Sequence, residues 1–241
     1  MEDGSPVFGP VAYKLTLSEA IGRGIVAPYL VLCFDIRDPE LYPPHETVNP
    51  YRYAYDLGGV RVGPEHSPVL IRPDWRGAPP PSGPLDIRSI RGCDVSPIDL
   101  ADPAAALRLK AYVWAEMRER LDRLDALTRL AVARPPRIDR ADAADWVEAR
   151  LAEPHEEGVT RVLYHSIVWQ YLPEDGRARI TAAMERTGRA APPDYPLAWL
   201  ALETNRETFR HELTVRFWPG GEEPVVLGEA HAHGAWVEWR G

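Results

Sequence analysis

Between residues 85 and 241, apolar runs of strand length alternate with segments whose apolar residues recur every three or four positions. Ile87–Cys93, the short run around Ile138, Thr160–Val168 and Leu197–Glu203 predict strands. Ala144–Ala152 and Glu174–Thr187 predict helices between them. The longest periodic stretch follows Asp102, whose carboxylate suits an N-cap, and Pro103, which needs no N–H at the first helical position. Leu107, Trp114, Met117, Leu121, Leu124 and Ala131 lie on one face of a single predicted helix that ends at Arg134, before two prolines. Glu116–Arg120 and Glu119–Arg123 are i,i+4 pairs on its other side. "HELTVRFW", the turn "PGGEE" and "PVVLGEAHAHGAWVEW" predict an antiparallel hairpin with a tail strand. Strand–helix alternation predicts an α/β fold: a mostly parallel sheet with an antiparallel C-terminal hairpin at one edge.

Residues 51–84 have a different texture. "YRYAYDLGG" and "VRVGPEHSPVLIRPDW" predict a β-hairpin or small meander inserted before a stiff linker, "GAPPPSGP". Residues 1–50 read as an N-terminal appendage: a short helix pattern, a buried strand from Tyr29 to Phe34, and the proline-rich connector "DIRDPELYPPHETVNP". Many of the 25 prolines lie in residues 1–103, so that half is expected to be richer in loops and short strands.

The charge narrows the choice of partner. A formal net charge of −8 with no basic stripe gives no sign of nucleic-acid binding. Two cysteines, Cys33 and Cys93, make neither a disulfide framework nor a metal-ligand spacing. The opening "MEDGSPVFGP" lacks the basic and apolar regions of a signal peptide, and no window has the roughly 18 apolar residues of a membrane span. A cytoplasmic location is expected. Gly22 and Gly24 give only G-x-G with no strand before it, which is weak as a phosphate loop.

In parallel sheets ligands bind beyond the carboxyl ends of the strands, so the residues there are the candidates. The first strand ends at Asp94, placed to accept from ribose hydroxyls or, alternatively, to form an Asx turn before Ser96-Pro97. Asp99 suits a brace of the same turn. After the second strand, Asp142 is placed to face a purine amino group or to cap the next helix. The third strand ends at His165, a candidate base or substrate contact, or a hydrogen-bonded strand-end histidine. Ser166 has no nucleophile-elbow glycines, and the fourth strand ends at Glu203 and Asn205. His231 and His233 have a spacing metals use, but no third ligand is identifiable, so no metal is expected.

"IRGCDVSPIDL", "IDRADAADW" and "RVLYHSIVWQYLPEDGRARITAAM" resemble the second-, third- and fourth-strand regions of class I methyltransferases, Rossmann-like enzymes that use S-adenosylmethionine. Residues 51–241 more closely resemble the uncharacterised bacterial family domain of unknown function 2332, through "YRYAYDLGG", "RGCDVSPIDL", "YVWAEMRERLDRL", "VLYHSIVWQYLP", "WPGGE" and "AHGAWVEW". The resemblance implies S-adenosylmethionine as cofactor, with Asp94 and Asp142 on the nucleoside and His165 near a small-molecule methyl acceptor. Members carry a first strand and an E-x-G-x-S-x-G turn before the "YRY" segment, and residues 1–50 supply neither. The sheet is therefore expected to have an unpaired centre, and the cofactor site to lack one wall. Residues 8–42 instead resemble a segment of superfamily-two helicases, without any helicase motif. Three readings stand: a methyltransferase-like domain impaired by the missing turn, a non-catalytic binding module or fused remnant, and a helicase accessory. The oligomeric state is open.

Overall fold

The computed structural model describes residues 31–37, 53–80 and 86–241. Gly22, Gly24, the helix pattern before Tyr29 and the connector after Arg37 lie outside them. So does the helicase-like segment, apart from residues 31–37.

The alternating pattern folds as an α/β unit. Upstream of it come β1 (Val31–Arg37) and a separate three-stranded sheet that joins β2 (Ala54–Leu57), β3 (Val60–Val62) and β4 (Leu70–Ile71). β5 (Asp74–Arg76) follows. Four strands then run in the same direction: β6 (Asp86–Asp94), β7 (Ile138–Arg140), β8 (Val159–Ser166) and β9 (Leu197–Thr204). Three more follow in a meander after β9: β10 (His211–Trp218), β11 (Gly221–Ala230) and β12 (Trp236–Trp239). The main sheet has nine strands in the order β5-β12-β11-β10-β9-β8-β1-β6-β7.

Two expectations are corrected. In the main sheet, parallel pairing is confined to β6–β7, β8–β9 and β12–β5, so that sheet is more antiparallel than expected. Its centre is not unpaired either. β1 lies between β6 and β8 and runs antiparallel to both, with Val31 opposite Cys93 and His165, and Arg37 opposite Asp86 and Val159. The central place is filled by β1, which runs against both its neighbours.

The long helix predicted over residues 103–134 is two. α1 (Pro103–Lys110) has the predicted Asp102 cap and Pro103 start, and α2 (Arg118–Ala133) follows after irregular turns. α1 buries no residue and α2 only Ala126, while Leu107, Trp114 and Met117 are exposed. The apolar spacing is helical, but of that face only Leu121, Leu124 and Ala131 are even half-buried, and burial is what holds most helices together.

Two further helices cover one face of the sheet. α3 (Ala143–Ala152) starts at Asp142, whose Oδ1 accepts from the N–H groups of Ala144 and Asp145, and buries Trp146 and Val147. α4 (Glu174–Arg189) carries acids in its first turn and arginines in its last, which suits the helix dipole, and buries Ile180, Ala183, Met184 and Gly188. Trp146, Val147, Ile180 and Met184 join Leu163, Leu197, Trp199 and Trp218 in one continuous core. No helix among the described residues is long and apolar enough to cross a membrane.

Candidate functional site

The carboxyl ends of β6, β7, β8 and β9 share one edge of the sheet, and the predicted candidates gather along it. Cys93 and His165 both lie opposite Val31, so Asp94 and His165 flank the start of β1, about 10 Å apart at the strand spacing.

Asp94 is 7% exposed. Its Oδ1 accepts the Ser96 N–H at 2.7 Å, the Asx turn read from the sequence, while its carbonyl accepts from Ala141 N–H and ties β6 to the segment after β7. Burial pushes its carboxyl above the usual range, outweighing the Ser96 bond and the charge of Arg140. Asp99 braces the next turn by accepting from Ala101 N–H. Asp142 is exposed and its Oδ1 is taken by the α3 cap.

His165 is 3% exposed and points into the helix-covered core. Trp199 Nε1–H, which can only donate, gives its hydrogen to His165 Nε2 at 2.9 Å. The imidazole is therefore protonated at Nδ1, which donates to Glu203 Oε1 at 2.7 Å. Trp169 stacks on the ring at 4.9 Å between centroids. Both nitrogens are engaged, so His165 as placed has none free to take a proton from an acceptor.

Glu203 holds this corner together. Its Oε1 also accepts from the N–H groups of Val168 and Trp169, at 3.0 and 3.2 Å. Those amides point at it because Ile167 sits in the left-handed region at φ 50°, costly for a β-branched residue. Ile167 is held there by its N–H bond to Leu202 O. Ser166 bonds to Tyr164 on the opposite face of the strand from His165, so the neighbours in sequence make no serine–histidine pair. Asn205 orders the β9–β10 turn, accepting from Glu207 and Thr208 N–H and donating to Glu212. With Glu203, Glu207 and Glu212 it lines an open polar groove.

His233 N–H donates to His231 Nδ1 within a turn, and burial, followed by the charge of Arg120, lowers the His233 pKa. The described residues contain no group of three or more side chains arranged to hold a metal.

A second polar cluster, missed in the sequence, lies deeper under α3. Asp35 of β1 accepts from Arg161 Nε at 3.2 Å and from Ser89 Oγ at 2.7 Å, with Arg150 at 3.8 Å. Arg161 also donates to the carbonyls of Arg150, Glu153 and Pro154, while Arg150 pairs closely with Glu153. Glu153 and Asp139 both accept from Arg91, and Asp139 also from Trp146 Nε1. Beside it, burial pushes the Cys33 thiol up to about 11, which makes it unreactive. The legible sign was a charge in each of three apolar settings: Asp35 in "VLCFDIR", Arg161 in "VTRVLYHS" and Arg150 on the buried side of α3.

For S-adenosylmethionine the fit is poor. At this edge β1 begins rather than ends, so it delivers no strand-to-helix glycine turn beside Asp94. Backbone N–H groups of such a turn would be needed to approach the cofactor.

The family described as an uncharacterized protein conserved in bacteria (DUF2332) matches residues 47–239. No curated protein and no solved structure matches the chain.

Proposed function

The chain belongs to the DUF2332 family of uncharacterised bacterial proteins, and on that premise we propose that its domain is a methyltransferase-type fold that has lost methyl transfer and serves as a binding module. The direction of β1 carries this reading. In a working domain of this plan, the strand between β6 and β8 would end at the ligand edge and turn through glycines into a helix around the nucleoside. β1 starts there instead.

The candidate residues support the same conclusion. Asp94 would take ribose hydroxyls and Asp142 an adenine amino group, yet one oxygen of each is committed to a local turn or cap. His165 would face the acceptor, yet Trp199 and Glu203 occupy its two nitrogens. Its role is to position the turn after β8.

Calorimetric titration of the folded full chain with S-adenosylmethionine, and separately with S-adenosylhomocysteine, tests this. No saturable heat is expected into the millimolar range. A saturable heat that disappears in Asp94→Ala would restore the cofactor site and overturn the reading.

A further inference from the structure

The strand at the centre of the sheet lies outside the family-matched segment: β1 ends at Arg37, and the match begins at residue 47. Both its neighbours, β6 and β8, lie within the match. Without β1 these two strands stand about 10 Å apart, twice the hydrogen-bonding distance between strands, each with one edge of its backbone unpaired.

The walls of that gap are built for a particular side chain. Arg161 and Arg150 are buried, with 5% and 6% of their side chains exposed. The Nη atoms of Arg161 are held by the carbonyls of Arg150, Glu153 and Pro154, all within the matched segment. This fixes its guanidinium from the acceptor side and leaves Nε directed at β1. From the opposite wall, Ser89 Oγ points at the same place. Without an acid there, Arg150 would keep only Glu153, which also serves Arg91, and Arg161 would keep only neutral backbone carbonyls, and burying unbalanced charge is costly.

Asp35 supplies that acid, and it lies directly opposite Ser89 on one side and Arg161 on the other. A slip of one residue would turn it to the other face, so the contacts set the register as well as the charge. Cys33, two residues earlier on the same face, is small enough to close over the core.

We propose that the space between β6 and β8 is a strand-acceptor site, filled in this chain by residues 31–37 and able to take an equivalent peptide in trans. The peptide it fits is extended, antiparallel to both walls, and carries a small apolar residue followed two positions later by aspartate. Recognition divides between backbone ladders, which give affinity, and the Asp contacts, which give selectivity. This goes beyond the loss of methyl transfer and stands or falls separately from the calorimetry.

The test uses the full chain with a specific protease site placed between residues 40 and 46. The folded protein is cut, unfolded in urea, and refolded with an about tenfold excess of fluorescent peptide spanning residues 28–40. By mass action the label should occupy about nine in ten refolded monomers. A peptide with Asp35→Lys should incorporate at least about tenfold less, because it places a third cation against two. Equal incorporation of both peptides, or refolding without uptake of either, would overturn the proposal. In a second arm, uncut Asp35→Lys protein should capture the wild-type peptide while uncut wild-type protein does not. No capture by that variant would contradict the site. A mass twice that of the monomer with the strand still attached would place the occupant on a second copy and refute the peptide reading.

Discussion

Glu203 shows why a side chain at a strand end can look catalytic and be structural. One of its oxygens gathers His165 Nδ1–H and two backbone N–H groups from the strained turn at Ile167. Glu203→Ala should leave these donors without a partner and cost about 3 kcal/mol, since each stranded buried donor costs about 1–3 kcal/mol. Glu203→Gln keeps an accepting oxygen and should cost less. Urea unfolding followed by tryptophan fluorescence checks this, and an Ala variant as stable as the wild type would show that Glu203 does not hold the corner together. At this scale the sequence was partly legible. The positions of Asp94, Asp142 and His165 at strand ends could be read from local pattern. Their bonding could not, because Trp199 and Glu203 lie far along the chain from His165 and meet it only when β8 and β9 pair.

Elements were legible wherever local pattern and burial agreed. α3 and α4 begin and end close to the predicted bounds, α3 at the Asp142 cap, and both bury apolar residues against the sheet. The helix after Asp102 failed on the second condition: its spacing is helical, but Leu107 and Trp114 are left exposed and the chain breaks between α1 and α2. Packing also decides the sign of a substitution late in α4. Alanine at Gly188 is favoured by intrinsic helix propensity by about 1 kcal/mol. A Cβ there, however, would lie 2.4 Å from the ring of Trp218, which is 1% exposed and cannot move aside. Gly188→Ala should therefore destabilise the protein by about 1–2 kcal/mol net of the propensity gain. A rise in melting temperature would show that the α4–β10 contact has room for the extra methyl group.

On the scale of the whole molecule, alternation of strands and helices gave the α/β class, and the family match covers residues 47–239. What could not be read was the direction of the central strand. A seven-residue strand pattern carries no sign of whether it will run with or against its neighbours, and β1 finds partners roughly 50 and 130 residues downstream. Its one clue was Asp35, an acid in a buried strand that needs buried cations. Both the proposed loss of methyl transfer and the proposed strand-acceptor site require residues 31–37 to be an integral strand of the sheet. Amide hydrogen exchange on the full chain tests that most directly. The amides of residues 31–37 should exchange as slowly as those of Asp86–Asp94 and Val159–Ser166, and Asp35→Lys should speed them selectively. Exchange at the rate of a free peptide throughout residues 31–37, with β6 and β8 still protected, would contradict the account.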